Sequence, residues 1–278
     1  MSGPSSIRRA LIFWALLAPI IVVGIFPYFV MLTTALKSAQ ELFAYPPRLI
    51  PGSFDLTSLS VIWAKVDFAR AITNGVEVSL GTTALTLLFA IPAAYSLARF
   101  EVPGGKAMKL FLMISQMISP VVLIIGIFRM MAAMGMMNDL RALILALTGF
   151  SVAFAVWMMQ SYFSTIPREI EEAAQIDGAN WFRNLLYVFL PLALPAIAVT
   201  AIFTFITAWT DFVLSYTLLR TPEKATATLK VVYLVSGQYT VAWNDVMAAA
   251  IVTTAPIVIM FILFQRHIVG GLVQGAVK

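Results

Sequence analysis

Six stretches of this chain, each 19 to 27 residues long, contain no aspartate, glutamate, lysine or arginine. They run over Ala10–Leu36, Val78–Ala98, Leu110–Phe128, Ala142–Pro167, Asn184–Thr210 and Val246–Gln265. A hydrocarbon layer about 30 Å thick is crossed by roughly 20 apolar residues in a helix, so each stretch is long enough to span a bilayer. The runs are continuous Leu, Ile, Val, Ala, Phe and Met, without the period-2 alternation of a transmembrane barrel strand. A helix satisfies its own backbone amides where no water can. The expectation is therefore an all-α, polytopic membrane protein with six transmembrane helices. They fall over about residues 10–33, 77–98, 109–129, 141–163, 186–210 and 246–265, in a single domain covering residues 1–278.

Charge outside these runs is sparse: 11% of the chain is charged, against roughly 25% in a soluble domain. The formal charge of +5 comes from basic residues scattered between the runs, which suits topology anchors in a lipid bilayer and gives no nucleic-acid patch. Cysteine is absent and His267 is the single histidine, which removes disulfides, thiol nucleophiles and most metal sites; neither a metal nor a catalytic group is expected. Arg8 and Arg9 precede an apolar run longer than the roughly 7 to 15 residues of a signal peptide, so the run reads as the first span. Six spans place both termini on one side. Lysine and arginine tie at nine on each face, but Arg8 and Arg9 abut the first span and Arg99, Lys106 and Lys109 crowd a short loop, which favours termini inside.

The most charged segment is the loop 164–186, holding Arg168, Glu169, Glu171, Glu172, Asp177 and Arg183. Pro167 suits the first turn of a helix, and the three glutamates then sit near its positive N-terminal end. Ile166, Ile170, Ala173 and Ala174, with Ile176 close by, form a small apolar stripe. Gly178 ends the helix, with Asp177 and Asn180 as turn and capping residues. A helix, turn, helix on the membrane face is expected, with the stripe inward and the carboxylates outward. Such an element fits the groove of a partner protein, and equally an ordinary interfacial loop.

Glu172-Ala173-Ala174, Asp177-Gly178-Ala179 and Val188-Phe189-Leu190-Pro191 together resemble the EAA loop of ABC importer permeases, with Val188 where isoleucine is usual. Pro92-Ala93-Ala94-Tyr95 with Ala98-Arg99-Phe100, the loop from Ala35 to Pro47, and the tail from Gln265 to Lys278 are similar to sugar permeases of the MalG type. Two positions depart from that pattern: Asp211 follows Trp209-Thr210 where asparagine is common after the tryptophan, and Gly75 follows Asn74 where serine is frequent.

The resemblance implies a permease subunit forming half of a pathway for a sugar, with glycerol phosphate or a polyol as the alternative cargo. It implies a bacterial or archaeal cytoplasmic membrane and both termini cytoplasmic. The implied partners are a second permease in a heterodimer, two ATP-binding subunits and an extracytoplasmic solute-binding protein. No cofactor is expected in this chain; ATP and Mg belong to the ATPase, consistent with the lack of a G-x-x-x-x-G-K-[ST] motif here. The chain is thus a transport subunit and not itself an enzyme. The resemblance makes 167–177 a cytoplasmic coupling helix, with Glu172, Ala173, Ala174, Asp177, Gly178, Ala179, Leu190 and Pro191 as coupling residues and Gln274 and Gly275 reaching the ATPase. Among the polar and aromatic residues of spans three to five, which include Ser115, Gln160, Thr204 and Thr210, the pathway candidates are Gln116, Ser119, Trp157, Thr207, Trp209 and Asp211. Serine, threonine and glutamine also join helices in membranes. An ion-coupled secondary transporter is the remote alternative; it would more usually show two related halves and ionisable groups inside its spans.

Overall fold

The computed structural model describes the backbone of residues 4–64, 66–101, 103–236 and 241–276, and side chains within 13–264 of these. Every regular element among them is helical. The order is α1 (Pro4–Ala35), α2 (Ala39–Leu42), α3 (Thr57–Ala64), α4 (Phe68–Arg99), α5 (Gly105–Ser115), α6 (Pro120–Ala133), α7 (Leu140–Phe163), α8 (Arg168–Ile176) and α9 (Trp181–Arg183). A π-helical turn, Asn184–Phe189, then leads into α10 (Leu190–Thr210), followed by α11 (Val213–Leu218), a 3-10 turn (Pro222–Lys224), α12 (Ala227–Val235) and α13 (Trp243–Ala276). The all-α expectation holds.

Among the described residues, five helical segments are long and apolar enough to cross a bilayer: Phe13–Ala35, Phe68–Arg99, Leu140–Phe163, Trp181–Thr210 and Trp243–Phe264. The expected third span, 109–129, is not one straight helix. It is the pair α5 and α6, bent by 97° across a short break. The cause is local. Pro120 has no N–H to continue the ladder and its ring collides with the carbonyl four residues back, but it is well suited to begin a helix. Ser119 caps α6, its Oγ accepting from Val121 N at 3.4 Å. The second span also starts earlier than expected, at Phe68, because Arg70 and Glu77 ride on the helix rather than ending it.

The chain gathers into two compact units, Met1–Phe68 with Val231–Ala255, and Ala69–Lys230 with Pro256–Lys278. Within the first, the segment after α1 is pinned by main-chain and side-chain bonds. Lys37 Nζ donates to Arg48 O, Asp55 N donates to Leu36 O at 2.9 Å, and Asp55 Oδ1 accepts from Thr57 N at 2.8 Å to begin α3. Hydrogen bonding from the Thr57 side chain, and then from its backbone N–H, holds the Asp55 carboxyl below its ordinary range. Among the described residues, none in the apolar window of α1 is buried.

The second unit carries the core that matters for the loop 164–186. Ala90, Ala94 and Tyr95 of α4 meet Ala155, Val156, Met159 and Phe163 of α7, together with Leu185, Phe189 and Ala193. Alanine recurs here because lipid gives helices no hydrophobic reason to associate, so close backbone approach must supply the contact. Phe189 fills the centre, with its ring 4.9 Å from both Tyr95 and Phe163 in edge-to-face contact.

Candidate functional site

The loop forms as a helix, turn, helix, but its faces are assigned differently from the expectation. Ile176 is 86% exposed and Ile170 is also exposed, while Glu171 is buried. The reason is a charge already in place. Arg99, at the last turn of α4, lies under α8, and Glu171 pairs with it through Arg99 Nε, their side chains only 6% and 8% exposed. Burying one ion without its partner costs far more than turning two isoleucines outward, so the carboxylate takes the inner face.

The pair has further hydrogen-bond partners on both sides, although Asn184 Oδ1 is buried without one. Glu171 Oε2 accepts from Tyr95 OH at 3.0 Å and from Asn184 Nδ2 at 3.4 Å. Arg99 Nη2 donates to Ile166 O at 2.8 Å, and the guanidinium lies 4.9 Å over the Phe189 ring. Tyr95 and Arg99 are four residues apart on one helix face, which lets both reach the same carboxylate. Asn184 faces inward from the π-helical turn, where Leu190 N donates to Leu185 O, five residues back. A π turn inserts one residue into the helical register and often marks a functional position. Reasoning from sequence missed this cluster: the Tyr95 and Arg99 motif was visible, but nothing in the pattern tied it to Glu171 rather than to its neighbours.

α8 leaves Arg168, Glu169, Ile170, Glu172, Ala173, Gln175 and Ile176 outward, with Ala174 half-buried. Pro167 stands at the N-cap position rather than inside the first turn. Gly178 has φ +84°, the left-handed conformation that a helix stop of this kind uses, and Asp177 N, Gly178 N and Ala179 N donate back to Ala173, Gln175 and Ala174 carbonyls. Asn180 Oδ1 caps α9 by accepting from Arg183 N at 2.9 Å. Leu190 and Pro191 begin α10. The Gln274 side chain lies outside the described residues, and Gly275 falls in the same stretch. The arrangement is a short exposed helix of mixed polar and apolar residues, fixed to the end of a long apolar helix by a buried ion pair.

The pathway candidates separate. Gln116 and Thr207 line one cleft of about 290 Å3 beside the break between α5 and α6. Ser119 serves as the cap of α6. Trp157 is 41% exposed and sits at 6.3 Å from Phe154. Trp209 is buried and stacked on Phe205 at 6.0 Å, and its carbonyl accepts from Thr228 Oγ1 at 2.8 Å. Asp211 caps α11, Oδ2 accepting from Ser215 N at 2.9 Å and Ser215 Oγ at 3.0 Å.

Gly75 explains one departure in the sequence. A Cβ there would lie 3.0 Å from the Trp209 ring, whose other neighbour Phe205 is stacked nearly parallel at 9°. Gly75→Ala is expected to cost about 1 to 3 kcal/mol by overpacking, read as a lowered thermal midpoint of the purified protein in detergent. Neighbouring Asn74 is also fixed, its Nδ2 donating to Glu223 O and Ala225 O at 2.9 and 3.0 Å.

Comparison with known proteins places these features in a wider set. A family model described as "Binding-protein-dependent transport system inner membrane component" matches residues 87–273. The diacetylchitobiose uptake system permease protein NgcG of Streptomyces coelicolor is 32% identical over 280 residues, covering 100% of this chain and 92% of its own. The trehalose transport system permease protein SugB of Mycobacterium tuberculosis is 31% identical over 273 residues, covering 98% of each. Among solved structures, a chain of a bacterial ABC transporter involved in the import of the acidic polysaccharide alginate superposes with a TM-score of 0.81. It is 20% identical, with 96% of this chain and 98% of that one covered.

Proposed function

The chain belongs to the family of binding-protein-dependent transport system inner membrane components, and from that membership we propose that it forms half of the translocation pathway of a saccharide importer. It is the permease component of an ABC transporter of the inner membrane, and the ATPase is a separate subunit. The saccharide reading is supported by relatives whose names specify diacetylchitobiose and trehalose. In this reading a sister permease completes the pathway as a heterodimer and two ATP-binding subunits holding ATP and Mg lie beneath. An extracytoplasmic binding protein delivers the sugar, and the host is bacterial or archaeal with both termini of this chain cytoplasmic.

The observation that carries the coupling part of the proposal is the division of α8 into a fixed face and a free one. Glu171 locks the helix to α4 through Arg99, while Glu172 and Ala173 remain exposed. A helix that must transmit a displacement needs both: a docking face for the ATPase and a rigid joint to the membrane helices. Ala173 and Ala174 allow close backbone approach, Glu172 offers a polar contact, and the turn Asp177-Gly178-Ala179 holds the helix at its angle.

Gly178→Asp tests this. A Cβ at Gly178 meets nothing within 4 Å, so the substitution adds only the left-handed strain, about 1 to 2 kcal/mol, and a charge at the turn. The variant is expected to insert in the membrane and purify with its sister permease but to lose the ATPase subunit and ATP-dependent uptake of a radiolabelled disaccharide. If the ATPase subunit co-purifies undiminished and uptake is unchanged, the turn is not part of the coupling surface.

A further inference from the structure

The cleft beside the helix break offers an unusual chemistry for a cavity between apolar helices. Its wall takes Ser115 and Gln116 from the end of α5, Ser151 and Phe154 from α7, and Phe203 and Thr207 from α10. At the break between Ser115 and Pro120 the main chain turns back on itself, Met117 N donating to Ile114 O at 3.0 Å and Ile118 N to Ser115 O at 3.4 Å, while the side chains of Ser115 and Gln116 face the cleft. A wall carrying two hydroxyls and an amide, from Ser115, Thr207 and Gln116, suits water better than lipid.

The direction of the hydrogen bonds then restricts what replaces that water. Ser115 Oγ donates to Leu112 O and Thr207 Oγ1 to Phe203 O, both at 2.8 Å, so their protons are committed and their lone pairs face outward as acceptors. Gln116 adds an amide with one bond of 3.3 Å, to Leu112 O. A ligand rich in hydroxyl donors matches this set. Sugar phosphates and uronates carry hydroxyl donors too, but they add a negative charge, and the described lining holds no lysine or arginine to neutralise it. A cationic ligand would meet no carboxylate there. Phe154 and Phe203, in edge-to-face contact at 6.1 Å, add an apolar wall for the C–H face of a ring. At about 290 Å3 the cleft is at the lower end of small-molecule sites.

We propose that this cleft is a subsite for one ring of an uncharged saccharide, selecting against sugar phosphates, sulfonates and uronates. This rests on the importer reading above and names the charge class of its cargo.

The absence of cysteine from the chain gives a direct test. Thr207→Cys and Gln116→Cys are placed singly in the complete complex in proteoliposomes, with Leu88→Cys as an exposed apolar control in the middle of α4. Each is treated with a charged, water-soluble methanethiosulfonate, and labelling of this chain is followed by mass spectrometry. Modification at 207 and 116 is expected at least tenfold faster than at 88, and slowed at least threefold by a panel of neutral disaccharides but not by glucose 6-phosphate or glucuronate. Slow labelling at both positions would mean that the cleft is not wet. Protection by the anions, or by no member of the panel, would overturn the saccharide subsite. The importer reading is scored separately in the same preparation by retention of the ATPase subunit, so the two can fail independently.

Discussion

Arg99→Met is expected to destabilise the protein by about 3 to 5 kcal/mol, the usual cost of removing one partner of a buried ion pair. Both side chains are almost wholly enclosed, 6% for Arg99 and 8% for Glu171, so little solvent screening softens the loss. Glu171 keeps its bonds from Tyr95 and Asn184, but two neutral donors do not replace a guanidinium. The cheapest response is to swing α8 away and hydrate the carboxylate. Limited proteolysis of the loop 164–186 and the thermal midpoint in detergent both report this: faster cleavage and a lower midpoint are expected. The double variant Arg99→Met with Glu171→Met is expected to recover most of the stability, because replacing both members of a buried pair by apolar groups is often nearly neutral. A double variant no more stable than Arg99→Met alone would show that the pair is not what holds the loop.

Phe189→Ala carries an expected loss of similar size, about 3 to 5 kcal/mol. The ring is fully buried and supports three neighbours at once: Tyr95 and Phe163 through edge contacts and Arg99 through its face. Removing it leaves a void and takes the aromatic face from beneath the guanidinium, so packing and electrostatics fail together. Tyr187→Ala, two residues away and 77% exposed, is the internal control and is expected to lie within about 0.5 kcal/mol of the parent. Equilibrium unfolding followed by tryptophan fluorescence separates the two. Equal midpoints for both variants would contradict the placement of Phe189 at the centre of the core.

Much of this architecture is legible in the spacing of charged residues, because the bilayer imposes a length on each uncharged run. Where the reading fell short, the reason was a contact between distant residues. The break at Gln116–Ser119 is signalled by Pro120, but a proline permits a gentle kink as readily as the observed 97° turn. Glu171 and Glu172 are adjacent carboxylates in the first turns of one helix, and only the position of Arg99, more than seventy residues earlier in the chain, decides which is enclosed. Asn184 turns inward because of a π turn, which has no period that a sequence reveals. Of the pathway candidates, Gln116 and Thr207 converge on one cleft, whereas Trp209 packs against Phe205 and Gly75 and Asp211 caps α11.

The same cysteine-free background allows the coupling surface to be located directly by crosslinking. With Ala173→Cys on the exposed face of α8, a short thiol-to-amine crosslinker is expected to join this chain to the ATPase subunit in the assembled complex, with a yield that changes on adding ATP. Cysteine at Asp139, on the loop expected at the opposite membrane face, is expected to give no such product. A crosslink to the ATPase from position 139 and none from 173 would contradict the assignment of α8 as the helix through which ATP hydrolysis drives the permease.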